Sequence, residues 1–274
     1  MASLVRSRWR VLALTSSPQR VDALRALGVI PIVADLDDAA SLGRMAALAP
    51  WVLHLAPPAG HGTHDVRTKH LLHALARGGV VRRIVYVSTT GVYGDARGDW
   101  VNETRAVAPQ TARAHRRVDA ECRLRRFGCV HGATVSVLRV PGIYALDRDG
   151  GNPIERVRQG SPVLVAEDDV YTNHIHADDL ARACVAALMH GAPQRIYHVS
   201  DDGHARMGDH MDAVAHLAAL PKPPRITRSQ AAATLSPMAL SFWSESRRLT
   251  NQRLKSELRL RLRHATIATG LLAV

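Results

Sequence analysis

Short apolar strands alternate with helical segments along the N-terminal part of the chain, and this alternation limits the folds open to it. The predicted strands are Trp9–Leu14, Val29–Ala34, Trp51–Leu55 and Ile84–Val87. Helices are predicted between them, beginning after Pro18 and running from about 38 to 48 and from about 65 to 77. Strands that alternate with helices in this way belong to parallel sheets with helices on both faces. The pattern therefore predicts an α/β protein with a doubly wound, mostly parallel sheet.

The stretch Ile84–Gly94, IVYVSTTGVYG, has the composition of a buried strand that ends in hydroxyl groups. Its β-branched and apolar run stops at a Ser-Thr-Thr-Gly cluster. Ligands of open α/β sheets bind outside the carboxyl ends of the strands. Two hydroxyl residues of this cluster, Ser88 and Thr90, are therefore predicted to act in catalysis.

Size and charge narrow the class of protein. With 274 residues, of which 46% are hydrophobic, the chain can bury a sizeable core. The net charge of +12 would suit a nucleic-acid partner, but three lysines among 36 basic residues leave 33 arginines, which are scattered among 24 acidic residues. No nucleic-acid-binding motif accompanies them. We therefore predict a small-molecule substrate and no nucleic-acid partner.

Cysteine usage and hydropathy indicate a cellular compartment. The three cysteines have no CxxC spacing, which argues against a disulfide framework or a zinc site, and they are predicted to be buried thiols in a reducing environment. No stretch approaches the roughly 20 apolar residues that a membrane span needs. These features predict a cytoplasmic protein with no membrane partner.

Four segments resemble motifs of one known family. They are Ile84–Gly94, Val52–Pro58 (VLHLAPP), Arg139–Tyr144 (RVPGIY) and Tyr171–Leu180 (YTNHIHADDL). In their order along the chain and in their spacing, they resemble the motifs of the extended short-chain dehydrogenases/reductases, the NAD-dependent epimerase/dehydratase family. The resemblance implies a Rossmann-like fold, an NADP or NAD cofactor, and oxidoreductase or epimerase activity on a small or sugar-like substrate.

The N-terminus departs from that family. A dinucleotide-binding fold normally begins with a strand and a Gly-rich turn that holds the pyrophosphate, but no glycine occurs before Gly28. The resemblance makes Trp9–Thr15 the second strand, so the first strand and its turn are expected to be missing. Either the sequence starts too late or the protein is a variant that has lost the phosphate-binding turn, and we favour the late start. Residues 1–145 are predicted to form the nucleotide-binding core. Residues 146–274 complete it at about 171–200 and add a small C-terminal substrate lobe.

The resemblance also assigns cofactor contacts near the ends of strands. Thr15, Ser16, Ser17 and Arg20 suit a 2′-phosphate and favour NADP, although a helix cap and a solvated arginine explain them equally well. The other predicted cofactor-binding residues are Asp35, Leu36, Leu55, Ala56, Pro57, Pro141 and Ile143.

The catalytic pair of the family is replaced. The enzymes of the family use a tyrosine with a lysine four residues later, which puts both side chains on one helix face. An alignment through Pro109 and Glu121 puts Arg113 and Arg117 at these two positions. Because the pKa of arginine exceeds about 12, it cannot donate and recover a proton near neutrality.

Three interpretations of this replacement stay open. The two arginines bind a carboxylate or phosphate in a catalytically silent sensor or regulatory protein; an altered chemistry persists, with a histidine such as His115 or His174 moving protons; or they are solvated helix residues.

The predicted substrate-binding residues are Tyr93, Tyr144, Asn173 and His174. No metal site is predicted. A homodimer, if it forms, is expected to use the helices at about 65–77 and 111–127.

Overall fold

The computed structural model describes residues 2–235, 240–241 and 243–272, and it confirms the predicted α/β class. The strands are β1 (Leu12–Thr15), β2 (Ile30–Val33), β3 (Trp51–His54), β4 (Arg83–Thr89), β5 (Trp100–Val101), β6 (Thr134–Val140), β7 (Gly142–Tyr144), β8 (Val163–Leu164), β9 (His174–His176), β10 (Arg195–His198), β11 (Arg225–Ile226) and β12 (Arg248–Leu249).

The helices follow the predicted alternation. They are α1 (Ala2–Arg6), α2 (Val21–Ala26), α3 (Val66–Ala76), α4 (Ala112–His131), α5 (Pro153–Arg158), α6 (Ala177–His190), α7 (Met207–Leu217) and α8 (Arg228–Thr234), followed by the short helices Gln252–Ser256 and Ile267–Leu271. The segment predicted as a helix from about 38 to 48 is instead a 3-10 run, Ala39–Ala47, with a glycine at its centre. A glycine inside an α-helix is unfavourable by about 1 kcal/mol relative to alanine.

Parallel pairing organises the core of the molecule. A four-stranded sheet has the order β10-β6-β4-β3, and every pairing in it is parallel. Strands β1 and β2 form a separate parallel pair. In the part of the chain that the structure describes, no strand joins this pair to the larger sheet.

Helices cover both faces of the larger sheet, as predicted for a doubly wound fold. Successive side chains of a strand point to opposite faces. Ile84 and Tyr86 of β4 therefore pack with leucines of α3 and α4, whereas Val85 packs with α6 on the other face. Helix α4 begins after Thr111, whose side chain accepts a hydrogen bond from the amide of Ala114, and it ends at Gly132 in the left-handed conformation. The dimer that was predicted to use α3 and α4 stays a prediction.

The C-terminal part of the chain contributes residues to a smaller lobe and to the main core. A smaller lobe contains the parallel pair β8 and β11 and an apolar cluster around Val163, Met211 and Val214. The chain then returns to the main core, where Leu254 and Leu258 pack on the same face as α6.

Two predictions from composition can be compared with the structure. Of the three cysteines, Cys184 is buried, but Cys122 and Cys129 are exposed, so the prediction that all three are buried was wrong. Both exposed thiols lie on the outer face of α4. Among the described residues, no helix combines the length and the apolar character that crossing a bilayer requires.

Candidate functional site

A cleft of about 870 Å³ opens where β4 and β6 end, between the main sheet and the smaller lobe. Among the residues that the structure describes, five arginines line it with a single carboxylate: Arg113, Arg117, Arg148, Arg156, Arg247 and Glu245. Arg247 donates to Glu245 Oε2 at 2.9 Å and to the carbonyl of Gly94 at 2.7 Å. Since one acidic group faces five cations, the cleft is electropositive and suited to an anion.

Arg156 is the arginine of the cleft that is least satisfied by the protein. Among the described residues, its guanidinium has no hydrogen bond or ion pair, and burial lowers its pKa. A half-buried cation without a partner is costly to desolvate, and an anionic ligand would offset that cost.

The hydroxyl groups at the end of β4 separate into two environments. Ser88 is 3% exposed, and its Oγ donates to Glu121 Oε1 of α4 at 2.5 Å. Thr90 is buried as well. Thr89 lies between them, is partly exposed and lines the cleft, and its Oγ1 accepts the amide of Gly91. Ser88 and Thr90 line the cleft as well, and Thr89 is the least buried of the three residues, although only its neighbours are among the predicted catalytic residues.

Strand geometry explains why Thr89 was missed. Ser88 has the same parity in β4 as Tyr86, so it faces α4, whereas Thr89 faces the opposite side. The periodicity of the strand would have identified Thr89, had it been continued through the hydroxyl cluster.

The two arginines that were predicted to stand at the positions of the family's tyrosine and lysine both line the cleft. Arg117 Nη1 donates to Tyr86 Oη at 2.9 Å and to the carbonyl of Val87 at 2.8 Å, and its guanidinium lies over the Tyr86 ring. Arg113, one turn earlier in α4, is exposed and lines the cleft; partial desolvation lowers its pKa, an effect that Glu245 opposes and the charge of Arg117 increases. The protein thus anchors Arg117 in place and orients Arg113 toward the open cleft.

A buried polar network lies behind the end of β4. Glu121 accepts two hydrogen bonds from Arg139, from Nε at 3.2 Å and from Nη2 at 2.7 Å. The Arg139 guanidinium stacks over the ring of Tyr93, which is 2% exposed. The Tyr93 hydroxyl donates to His198 Nε2 at 2.5 Å, because His198 Nδ1 donates its proton to the carbonyl of Thr250.

The other predicted substrate-binding residues differ in accessibility. His174 lines the cleft, stacked on His210 with ring centroids 3.9 Å apart, and burial holds its pKa well below the ordinary value. Asn173 also lines the cleft, but its amide is bonded to the backbone of Arg247 and Leu249. Tyr93 and Tyr144 do not line it. Tyr144 is 4% exposed and donates to the carbonyl of Thr266.

The predicted nucleotide-contacting residues lie at the carboxyl ends of β1, β2 and β3. Ser16 and Arg20 are exposed, while Thr15 Oγ1 and the backbone of Ser17 bond to each other. Beyond β3, Leu55 leaves 55% of its surface exposed beside Ala56 and Pro57. Beyond β2, Asp35 bonds to Ser41 through its backbone, and the carbonyl of Leu36 accepts a bond from His70.

An ion pair at the same edge was not predicted. Arg67 of α3 donates from Nε and Nη2 to both carboxylate oxygens of Asp37, at 2.7 and 2.6 Å, and from Nη1 to the carbonyl of Pro57. The hydrogen bonds from Arg67 lower the pKa of Asp37. This pair joins the ends of β2 and β3 through α3.

The family model described as NAD(P)H-binding matches residues 1–191. The chain belongs to this NAD(P)H-binding family, and its fold is that of the epimerase/dehydratase type. A functionally unknown conserved protein from Silicibacter pomeroyi is 30% identical, with a TM-score of 0.81, over 99% of this chain and 92% of that one. A comparison with curated proteins found no match.

Two enzymes share the fold at lower identity. A UDP-glucose 4-epimerase from Thermotoga maritima is 16% identical, with a TM-score of 0.79, over 98% of this chain and 90% of that one. A dTDP-glucose 4,6-dehydratase from Bacillus anthracis, in complex with NAD, is 13% identical, with a TM-score of 0.77, over 99% and 89% of the two chains. The predicted family and fold are therefore confirmed.

The residues of this NAD(P)H-binding chain fit parts of the cofactor. Exposed polar groups after β1 and the exposed Leu55 after β3 suit the ribose and base, and Pro141 and Ile143 line the cleft. Among the described residues, the segment before β1 is the helix α1 and not a Gly-rich turn. The amides that usually hold the pyrophosphate are therefore not found there.

Proposed function

We propose that this NAD(P)H-binding protein is an NAD(P)-dependent oxidoreductase or epimerase that acts on a small or sugar-like substrate carrying a negative charge. The observation that supports this most strongly is the five-arginine lining of the cleft beside Thr89, Pro141 and Ile143. A guanidinium group binds carboxylate and phosphate oxygens in a bidentate manner. When bound, the nicotinamide supplies or accepts the hydride.

The side chains of the cleft would then bind and orient the substrate. The Thr89 hydroxyl and the Arg113 guanidinium both face the cleft, where they can donate hydrogen bonds to the reacting oxygen and stabilise negative charge on it. Arg117, held by Tyr86, adds positive charge at the same place. Neither guanidinium moves a proton at neutral pH, so in this proposal the proton is exchanged with water or with His174.

A catalytically silent sensor or regulatory protein is the second candidate. The predicted replacement of the family's tyrosine and lysine by Arg113 and Arg117 favours this candidate, because a guanidinium binds an anion well and transfers no proton. In that case the cleft recognises a nucleotide or another anionic metabolite, and the hydroxyl of Thr89 has no role in turnover.

Calorimetric titration with NADPH and NADH, followed by UDP-glucose and by succinate as a plain dicarboxylate, tests the proposal. Hydrogen bonds to charged groups contribute about 1.5–3 kcal/mol, so we expect Arg113→Gln to weaken binding of the anionic ligand by roughly 10- to 150-fold. Arg126→Gln, an exposed residue of the same helix, is the matched control and should leave the affinity unchanged. Equal affinities in both variants, or no binding of any of these compounds, would contradict the proposal.

The Thr89→Val variant separates the two candidates. For an enzyme, we expect oxidation of NADPH with the cognate substrate to fall by at least about tenfold, because one donor to the developing oxyanion is lost. For a silent protein, wild type consumes no NADPH with any ligand that it binds, and Thr89→Val leaves affinity nearly unchanged. Ser88→Ala is measured beside Thr89→Val, because the Ser88 hydroxyl is bonded to the buried Glu121.

A further inference from the structure

Three potential metal ligands converge away from the cleft. They are His176 at the end of β9, Asp178 in the first turn of α6 and His264 near the C-terminus. One ligand atom from each lies within 4.8 Å of the other two, and the two imidazole rings have centroids 3.8 Å apart. Both histidines are buried, whereas Asp178 is exposed, so the group is open to solvent on one side.

A buried carboxylate fixes the position of His264. Asp179 is 0% exposed and accepts the backbone amides of Arg263, at 2.9 Å, and of His264, at 2.8 Å. It also accepts a hydrogen bond from Arg182 at 2.6 Å. These bonds hold the C-terminal segment against the start of α6, with the His264 ring over His176.

Hydrogen bonding leaves ligand atoms available. His264 Nδ1 can only donate to the carbonyl of Thr269, at 3.3 Å, so the lone pair of the neutral ring lies on Nε2. A backbone carbonyl bonded to the second ring nitrogen is the usual support of a metal-binding histidine. Among the described residues, the Asp178 carboxylate has no hydrogen bond or ion pair and is available as an oxygen ligand.

Metal binding by His176 requires a change of its tautomer. Its Nδ1 accepts the amide of Asp178 at 3.2 Å, which places the proton on Nε2. Coordination through Nε2 moves that proton to Nδ1 and gives up this long hydrogen bond. The neighbouring Asp178 side chain is on the surface and can change rotamer at little cost.

We propose that His176, Asp178 and His264 bind a divalent transition-metal ion of the Zn²⁺ class, with water completing its coordination. Two imidazoles and one carboxylate with an open position are a common ligand set for such ions. Tetrahedral ligands about 2.1 Å from zinc are roughly 3.4 Å apart. Because the three atoms lie within 4.8 Å of one another, the longest of their separations must shorten by up to about 1.4 Å. The ion would join the C-terminal segment to the start of α6. This site does not depend on the function proposed for the cleft.

The test is calorimetric titration of the untagged, EDTA-treated full-length protein with ZnCl₂, together with the absorption spectrum of the Co²⁺-loaded protein. We expect one ion per chain, a Zn²⁺-dependent rise in melting temperature and a visible Co²⁺ band. Loss of a support residue outside the ligand set weakens metal binding by about 10- to 100-fold, so the ligand variants Asp178→Asn and His264→Gln should lose at least as much. His190→Gln, at the exposed far end of α6, is the matched control.

Specific outcomes would overturn the metal site. They are the absence of stoichiometric Zn²⁺ binding, or an affinity that is the same in wild type, Asp178→Asn and the control. If His264→Gln does not fold, Asp178→Asn decides, because Asp178 is exposed and its removal does not open the core. Binding that His190→Gln abolishes would assign the ion to another part of the surface.

Discussion

Replacing Glu121 by alanine lowers the free energy of unfolding by about 3–5 kcal/mol, because the change leaves a buried cation without its counter-ion. The side chains of Glu121 and Arg139 are 5% and 4% exposed, and their closest approach is 2.7 Å. Glu121 also accepts the hydroxyl proton of Ser88. Loss of the carboxylate therefore leaves two groups unsatisfied, one of them charged. Urea denaturation at pH 7 measures the change.

An exposed ion pair is the control for this variant. Asp22 and Arg25 are three residues apart in α2, and their side chains are 93% and 67% exposed. A pair of this kind contributes less than about 1 kcal/mol, so Asp22→Ala should change stability little. If Glu121→Ala is no more destabilising than Asp22→Ala, the buried network does not have the energetic role that its geometry indicates.

The Asp201→Asn variant is more stable than wild type at pH 8, and its advantage disappears toward pH 4. Asp201 is 2% exposed, and burial raises its pKa to about 8. An unfolded carboxyl titrates near 3.9. Between these two values the folded state retains a proton that the unfolded state has released, so the free energy of unfolding of wild type falls as the pH rises.

The expected size of the stability difference follows from the separation between the folded-state and unfolded-state pKa values of Asp201. At pH 8 it reaches on the order of 5 kcal/mol at most, and the asparagine avoids this loss because it carries no titrating proton. The asparagine oxygen can still accept the amide of Gly203, which Asp201 accepts at 3.0 Å. Measurement of both proteins by urea denaturation from pH 5 to 8 gives the difference directly. A difference that stays constant over this range would contradict a buried, protonated Asp201.

The neighbouring carboxylate provides the control. Burial raises the pKa of Asp202, but hydrogen bonds from Lys255 and Asn251 lower it by more, and its pKa lies below the ordinary value. Stability from such a group is lost only as the pH falls through the folded-state pKa, so the slope between pH 5 and 8 should be much smaller for Asp202→Asn than for Asp201→Asn. The slope that remains reports the effect of the Asp202 charge on Asp201 and His204. The buried imidazoles of His54, His198 and His210 titrate alike in all of these proteins and cancel.

Local sequence signals were sufficient for most of the fold. The strands predicted at Trp51–Leu55 and Ile84–Val87 are confirmed. Short apolar runs that end at loop or hydroxyl residues have few other solutions in an alternating pattern. The family was recognisable because its motifs lie at strand ends, where backbone geometry restricts the residues. The 3-10 run at Ala39–Ala47 was not foreseen, since its spacing of apolar residues also suits an α-helix.

The sequence by itself determined the doubly wound architecture. The binding of ligands at the carboxyl edge of the sheet and the replacement of the family's tyrosine and lysine by Arg113 and Arg117 stay predictions from the sequence. These features depend on residues close together in the chain. Only the tertiary structure decided that Ser88 is more buried than Thr89 and that its hydroxyl is bonded to Glu121 of another helix. It alone brought His264 to His176 and Asp178, through Asp179. Burial and charge pairing depend on long-range packing, and no local periodicity records which distant side chain will fill a given position.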